Sequence, residues 1–327
     1  MKDKIRWGII GLGGIARKFA DDLKLVDDGE LVAVASRSVE KAEAFAQEYD
    51  VATSFGSYDE LFDFNGVDVL YIATPHDSHA ELSIAAMRKG KHVLCEKPIA
   101  VNRKDTESMV AVSKEENVFL MEAMWSRFNP SIKKLKELVD EGVIGDVGYV
   151  NADFTYFGLD REEDGRLLNP MLAGGSILDI GIYPIFFAYL FLGKPKKIIA
   201  ASNFYKTGVE IQTSLIFVYD NAQAILHSGF DTNLEVKAKV SGSKASLSLL
   251  PIWHMAQGYT LEKGGDVESF DMPTLGVGYA SEAMEVHDCL RAGKLESDLW
   301  SHQNSLDLME LLDEVRRQVG VVFPFES

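Results

Sequence analysis

Only two cysteines occur in the 327 residues, Cys95 and Cys289, and they lie far apart. That scarcity fits neither a secreted disulfide framework nor a CxxC metal or redox site. The sequence has no HExxH and no cluster of Cys and His at ligand spacing, so no metal site is expected. Basic residues are outnumbered as well: 33 Lys and Arg against 50 Asp and Glu give a formal net charge of -17. A field of that sign repels phosphate backbones and anionic headgroups, so neither nucleic acid nor a membrane surface is an expected partner. The opening MKDKIRWGII enters a strand-like run with no apolar signal core, and no apolar run is read as long enough to span a bilayer. A reducing cytoplasm is the expected location. Internal repeats and low-complexity linkers are missing too.

What is present is a globular composition, 46% hydrophobic and 25% charged, in a length that fits two domains. Residues 1–123 alternate apolar runs (IRWGII, LVAVAS, VDVLYIAT, KHVLCEK, VFLMEA) with stretches carrying charge at helical spacing. That rhythm predicts a parallel βαβ sheet covered on both faces. One such stretch, HAELSIAAMRKG, stops at Gly90 behind Arg88 and Lys89, residues that suit a helix C-terminus. Residues 124–327 read differently. NPSIKKLKELVDEG predicts a helix, and GYVNADFTYFG, KKIIAASNFYK, TSLIFVYD, AQAILHSGF, EVKAKVSG and ASLSLLP predict an α+β domain with a large, mostly antiparallel, open-faced sheet joined by short turns. Two late helices, over 280–292 and 303–319, are expected to pack back on the body. The sheet has more apolar positions than these helices can cover, so one face is expected to make a homodimer or higher homo-oligomer.

The segment after the first run carries Gly11-x-Gly13-x-x-Ala16, with Gly14 and Ile15 inside the loop, and it sits between a strand and a helix. This is the context of a dinucleotide fingerprint. Gly11 allows the tight turn, Gly13 lets backbone approach a pyrophosphate, and Ala16 keeps the helix close to the sheet so that its N-terminus faces the phosphates. A Rossmann domain is therefore predicted. At the end of the second strand, where an acid would hold the ribose 2′-hydroxyl of NAD, the sequence reads Ser36-Arg37-Ser38. A guanidinium fork and two hydroxyls suit a 2′-phosphate, so NADP is favoured over NAD, although an exposed surface arginine would read the same way.

Ligands of such sheets lie beyond the carboxyl ends of the strands, which directs attention to Thr74-Pro75-His76 and Glu96-Lys97-Pro98. A lysine beside a bound nicotinamide can lower the pKa of a substrate hydroxyl and help move its proton. With Gly174-Gly175-Ser176-Ile177-Leu178-Asp179-Ile180-Gly181-Ile182-Tyr183 and Met121-Glu122-Ala123-Met124-Trp125-Ser126-Arg127-Phe128, these motifs resemble the glucose-fructose oxidoreductase and inositol dehydrogenase family over nearly the whole chain. Within it they are most similar to the branch of dimeric dihydrodiol dehydrogenase and NADP-dependent D-xylose 1-dehydrogenase.

The resemblance implies that Lys97 is at the active centre and that Tyr183 stands where inositol dehydrogenases usually carry a histidine. A lysine ammonium favours phenolate, so the two make a proton-transfer pair. Asp179, four residues before Tyr183, shares its face if the segment is helical and is read as binding a substrate hydroxyl or orienting the pair; helix packing and a salt bridge are the plainer roles. Trp125, Arg127 and Phe154 are implied substrate-pocket residues and Trp253 a further candidate wall, with core packing the commoner role for such aromatics. His76, His79 and Glu96 are assigned to the cofactor loops, where helix-start capping or exposure would also account for the histidines. The expected reaction is hydride transfer between NADP and a secondary or anomeric hydroxyl of a small sugar, polyol or cyclic diol. The rival expectations are a non-catalytic NAD(P) or sugar sensor of the same fold, and an inositol or anhydro-sugar dehydrogenase.

Overall fold

Strands that are apolar on both sides can be stable only between two layers of helix, and the first sheet is built that way. In the computed structural model, which describes residues 4–326, it comprises β1 (Ile5–Ile10), β2 (Gly29–Ala35), β3 (Thr53–Phe55), β4 (Val69–Ile72), β5 (His92–Glu96) and β6 (Leu120–Ala123). The order is β3-β2-β1-β4-β5-β6, and every pairing is parallel. All four residues of β4 are fully buried. The connecting helices are α1 (Gly14–Leu23), α2 (Val39–Tyr49), α3 (Tyr58–Asp63), α4 (His79–Arg88) and α5 (Arg103–Glu116). Side chains of Ser38, Ser57 and Asn102 accept from the backbone at the starts of α2, α3 and α5, satisfying N–H groups that a helix leaves unpaired. The strand order turns back between β1 and β4, the switch point where such sheets bind ligands.

This first compact unit holds residues 4–128 and also 275–306, a stretch that the sequence reading placed within the range of the second domain. The reason is a buried carboxylate. Asp22 of α1 is 3% exposed and accepts from the backbone N–H groups of Val277, Gly278, Tyr279 and Ala280 at 2.8–3.3 Å. The helix Tyr279–Arg291 has no cap from its own sequence, so Asp22 supplies one from more than 250 positions away. Trp7 adds a hydrogen bond from Nε1 to His287 Nε2 at 2.8 Å.

The second unit holds residues 129–274 and 307–326. After α6 (Pro130–Asp140), an eight-stranded sheet is built from β7 (Val147–Thr155), β8 (Lys197–Phe204), β9 (Glu210–Val218), β10 (Gln223–Gly229), β11 (Ala238–Gly242), β12 (Ser246–Leu249), β13 (Gly258–Lys263) and β14 (Asp266–Asp271). Its order is β14-β13-β12-β11-β7-β10-β9-β8. The sheet is mostly antiparallel, as expected, with one parallel pairing, between β7 and β10. They are separated in sequence by α7 (Ile182–Leu192) and the β8–β9 hairpin, and that length permits a crossover which short turns forbid. The β13–β14 hairpin went unread because every residue of β14 is exposed, so no alternation marks it; Gly264-Gly265, both at positive φ, make the two-residue turn.

One face of this sheet is covered by α7, packed on β7, β10 and β11. Val150, Ala152, Ala224, Leu226, Ala238 and Val240 are buried there. The opposite face carries a cross-strand row, Ile199–Ile216–Ile225–Asn151, whose first two members are exposed. Residues Pro170–Leu192 also revise the sequence reading, since these 23 residues are long and apolar enough to cross a membrane. Gly174, Gly175 and Asp179 interrupt the run and hid its length. Most of it is buried in the protein, as expected for a helix that is apolar on all sides. The helices late in the chain are α8 (Tyr279–Arg291) and α9 (His302–Val319), within two residues of their predicted bounds.

Candidate active site

The glycine turn after β1 is geometrically forced. Gly11 has φ +81°, and a Cβ there would lie 2.5 Å from the Ala73 carbonyl and from Thr74 N. The turn closes with Gly13 N–H on Gly11 O at 2.7 Å. Beyond it the backbone is open: a Cβ at Gly13 would meet nothing nearer than 3.9 Å, and one at Gly14 nothing within 4 Å. Helix α1 starts at this point with no side-chain cap and no acid in its first turn. Its N–H groups and dipole are therefore available to an anion, and Ala16, fully buried, lets the helix sit close to the sheet. Ile15 is half-buried beside it. The residues present fit a pyrophosphate.

At the end of β2, Arg37 is exposed, and its charge opposes the rise that burial imposes on the Tyr58 phenol. Ser38 is committed locally: its hydroxyl accepts from Lys41 N and donates to Glu40 Oε2. Ser36 Oγ accepts from Ser38 N at 3.2 Å. At the end of β4, Thr74 Oγ1 accepts from Ser78 Oγ at 2.8 Å, Pro75 is exposed and His76 half-buried. His79 does not reach outward as a cofactor contact. It is fully buried, with Nδ1 2.8 Å from Pro98 O and Nε2 2.8 Å from Thr74 O. Burial lowers its pKa against the pull of these carbonyls, and the charge of Lys97 lowers it further. His79 thus ties the loop after β4 to the turn after β5.

That turn carries Lys97, half-buried, followed by a cis peptide to Pro98. It is clamped from several sides. Ile99 N donates to Glu122 Oε1 at 3.0 Å, and Glu122 Oε2 accepts from Trp300 Nε1 at 2.9 Å and Ser305 Oγ at 2.7 Å. Glu96 points inward, not toward a cofactor: its carboxylate accepts from Tyr71 Oη and from Lys97 N. Beneath it, in α8, Glu282 is fully buried, and neither carboxyl oxygen finds a hydrogen-bond partner among the described residues. Burial, reinforced by the charges of Glu96 and Asp22, pushes its pKa well above the ordinary carboxyl value and so favours its protonated form. Trp125 is 6% exposed and stacked on Tyr279 at 4.9 Å between centroids. Arg127 is 9% exposed with Nε on Leu299 O at 2.9 Å; that backbone contact gives it a structural task.

In the second unit, Asp179 lies in a π-helical stretch, Ile177–Gly181, which passes directly into α7. It accepts from Arg166 Nη1 at 2.8 Å and from Tyr156 Oη at 3.3 Å, so the salt-bridge reading of this residue describes the structure. Tyr183, on the first turn of α7, is 4% exposed. Its ring neighbours are Phe154 at 5.3 Å, His254 at 5.4 Å and Trp253 at 6.4 Å. Phe154 is stacked on His254 at 4.1 Å. Trp253 is corrected as a pocket wall: it is fully buried, and its Nε1 donates to Asp153 O at 2.8 Å. The neighbouring His254 takes the position beside Tyr183 and Phe154. The sequence offered no sign of this except adjacency to Trp253, and none for Arg166.

A glycine turn leading into an uncapped helix at the switch point of a parallel sheet places the chain among the dinucleotide-binding proteins, and comparison with known proteins narrows the class. Residues 5–124 match the model of the oxidoreductase family with NAD-binding Rossmann fold, and residues 132–248 match the GFO/IDH/MocA C-terminal domain. The chain is 37% identical over 336 residues to trans-1,2-dihydrobenzene-1,2-diol dehydrogenase of Mus musculus, an alignment that covers 98% of each. Among solved structures it is similar to KijD10, a 3-ketoreductase from Actinomadura kijaniata determined with NADP and TDP-benzene, at TM-score 0.88 and 27% identity over 97% of this chain and 98% of that one. It is also similar to aldose-aldose oxidoreductase from Caulobacter crescentus, at TM-score 0.89 and 26% identity over the same shares. The chain belongs to the GFO/IDH/MocA oxidoreductase family. It is an NAD(P)-dependent oxidoreductase of the dehydrogenase type.

The state of Glu282 has a measurable consequence. Because its folded pKa lies above its unfolded one, the native state binds the extra proton, and stability falls by about 1.4 kcal/mol per pH unit as pH rises between the two values. Glu282→Gln removes this dependence. Urea unfolding from pH 6 to 9 should show a flatter stability profile for the variant than for the wild type; parallel profiles would mean that Glu282 is ionised in the folded protein.

Proposed function

We propose that the protein transfers hydride between NADP and a secondary or anomeric hydroxyl of a small sugar, polyol or cyclic diol, with Lys97 and Tyr183 handling the hydroxyl proton. The observation that carries this reading is the setting of Tyr183. It has a phenol on the first turn of α7, aromatic faces from Phe154 and His254 beside it, and the Asp179–Arg166 pair four residues earlier. Apolar ring faces suit the C–H faces of a sugar or cyclic diol, and the ion pair suits its hydroxyls. The similarity to a diol dehydrogenase along the whole chain points to the same substrate class.

When bound, the nicotinamide supplies the hydride acceptor or donor. The roles of the chain follow from chemistry. The N–H groups at Gly13, Gly14 and Ile15 hold the pyrophosphate, with Gly11 and Ala16 shaping the turn. Arg37 and Ser36 hold the 2′-phosphate, and Ser38, spent on capping α2, contributes less. Thr74, Pro75 and His76 line the nicotinamide side. Tyr183 would take the hydroxyl proton of the substrate as its phenolate, a form that the positive charge of Lys97 at the same substrate would favour, and Asp179 would orient the substrate. Trp125 borders the same substrate. NADP in the related KijD10 structure supports the choice of cofactor. We further propose a homodimer through the open sheet face, where the isoleucine row offers an apolar stripe.

The direct test is absorbance of the reduced nicotinamide with NADP⁺ or NAD⁺ against D-xylose, D-glucose, myo-inositol and a cyclic trans-diol. Turnover with NADP⁺ and an aldose or diol is expected; cofactor binding without turnover on any of them would point to a sensor. Lys97→Met should reduce kcat by at least about 10²-fold with cofactor affinity nearly unchanged, and an active variant would remove Lys97 from the mechanism. Arg37→Ser should weaken NADP⁺ about 10–100-fold and leave NAD⁺ unaffected, since it removes one charge-assisted contact; equal effects on both cofactors would contradict the 2′-phosphate assignment. Ile216→Lys should shift the protein to monomer in light scattering, unless the sheet face is not the interface.

A further inference from the structure

We propose that Glu210 is a positioning residue for the reaction: from β9 its carboxylate holds the backbone turn that launches the helical segment carrying Asp179 and Tyr183. The inference rests on the role given above to Tyr183, and it concerns a residue that no motif in the sequence singles out.

Glu210 is 1% exposed. Its Oε1 accepts from Ile177 N at 2.6 Å, at the first residue of the π-helical stretch, and the Ser176 N–H also favours the charged form. Ser176 offers no cap with its own side chain; its hydroxyl is 3.3 Å from Ser228 Oγ of β10 instead. Helices α2, α3, α5 and α6 are capped by a neighbour in sequence, whereas this one is capped across the fold. The preceding glycine is shaped to the same carboxylate: Gly175 has φ +122°, and a Cβ there would lie 2.3 Å from Glu210 Oε2 and 2.5 Å from Oε1. Two residues beyond Ile177 comes Asp179, and six beyond comes Tyr183. Any rotation of the turn is therefore passed to both side chains through a rigid helix.

A carboxylate is a costly choice for this task. Burial lifts the Glu210 pKa to about 7 against the pull of these N–H groups and of Arg316, the charged side chain that faces it from α9. Arg316 is itself paired with Glu326 and Asp313. Oε2 has no hydrogen-bond partner among the described residues. A residue kept only for stability would avoid that desolvation penalty. A charge at a helix start strengthens the hydrogen bond from Ile177 N and fixes its direction, which suits a residue kept for geometry.

The test is steady-state kinetics from pH 6 to 9 with NADP⁺ and a cyclic trans-diol, together with NADPH binding by fluorescence, for the wild type, Glu210→Gln, Glu210→Ala, Tyr183→Phe and Glu210→Ala in the Tyr183→Phe background. Glu210→Ala should lower kcat 10–100-fold and leave NADPH affinity within twofold. Glu210→Gln, which keeps an acceptor for Ile177 N, should recover part of the loss and remove from the pH profile the step that follows protonation of Glu210, whose pKa burial lifts to about 7. In the Tyr183→Phe background the alanine change should cost little more. Wild-type kcat and pH profile in Glu210→Ala, or the same fold loss with and without Tyr183, would overturn the assignment. If Glu210→Ala does not fold, Gly175→Ala poses the same question with the carboxylate in place. Its kcat should fall likewise, and wild-type kinetics there would count equally against the proposal. Full activity of Tyr183→Phe alone would remove the proton-transfer role of Tyr183, and the Glu210 series would then still be judged by its own kcat and pH profile.

Discussion

Carboxylates buried against backbone N–H groups hold this protein's functional turns in place. Asp22 gathers the N–H groups of 277–280, Glu122 holds Ile99, Glu96 holds Lys97 and Glu210 holds Ile177. Each bond joins residues remote in sequence or fixes a turn too irregular for a ladder to satisfy. Charge-assisted bonds of this kind are about twice as strong as neutral ones, and leaving such an N–H buried and unpaired costs about 1–3 kcal/mol. The strong acidity of the chain is therefore not only a solvated surface, since some of its most consequential acids are inside.

The same constraint explains how the turn that carries Lys97 is kept in register. Lys97 sits on a turn whose backbone is held before it by Glu96 and after it by His79 and Glu122, and these partners are themselves buried. A side chain on so constrained a backbone loses little further freedom when it meets substrate, which is the entropic condition for positioning. Glu282 shows the cost of the arrangement. Each further carboxylate in one interior raises the cost of ionising the next, and the pKa of the one without donors is pushed up.

Much of the architecture was legible in the sequence. Runs such as VDVLYIA are apolar on both sides, which only a covered parallel strand explains, and Gly11, Gly13 and Ala16 stood in the strand–turn–helix context where their roles are physical. The strands of the second sheet were visible through alternation, except the β13–β14 hairpin, where the exposure of every β14 residue erases the pattern. The parallel pairing of β7 and β10 was not visible, because periodicity records burial and not direction. Among the candidate site residues, His79, Glu96, Arg127 and Trp253 make contacts inside the protein that their type and spacing did not reveal. A side chain's type does not reveal which way its backbone turns it.

By itself the sequence determined the fold class, the glycine turn after β1 and the intrinsic chemistry of the candidate side chains, because these depend on local periodicity, on glycine's freedom at a positive φ and on the intrinsic acidity of each group. Tertiary structure alone decided which acids are buried, which helix Asp22 caps, that His254 joins Phe154 and Trp253 around Tyr183, and that Glu210 meets Gly175 and Ile177. Those outcomes rest on contacts between segments tens to hundreds of residues apart. Hydrogen-bond geometry and desolvation arise only once such segments are packed together, and no local pattern encodes them.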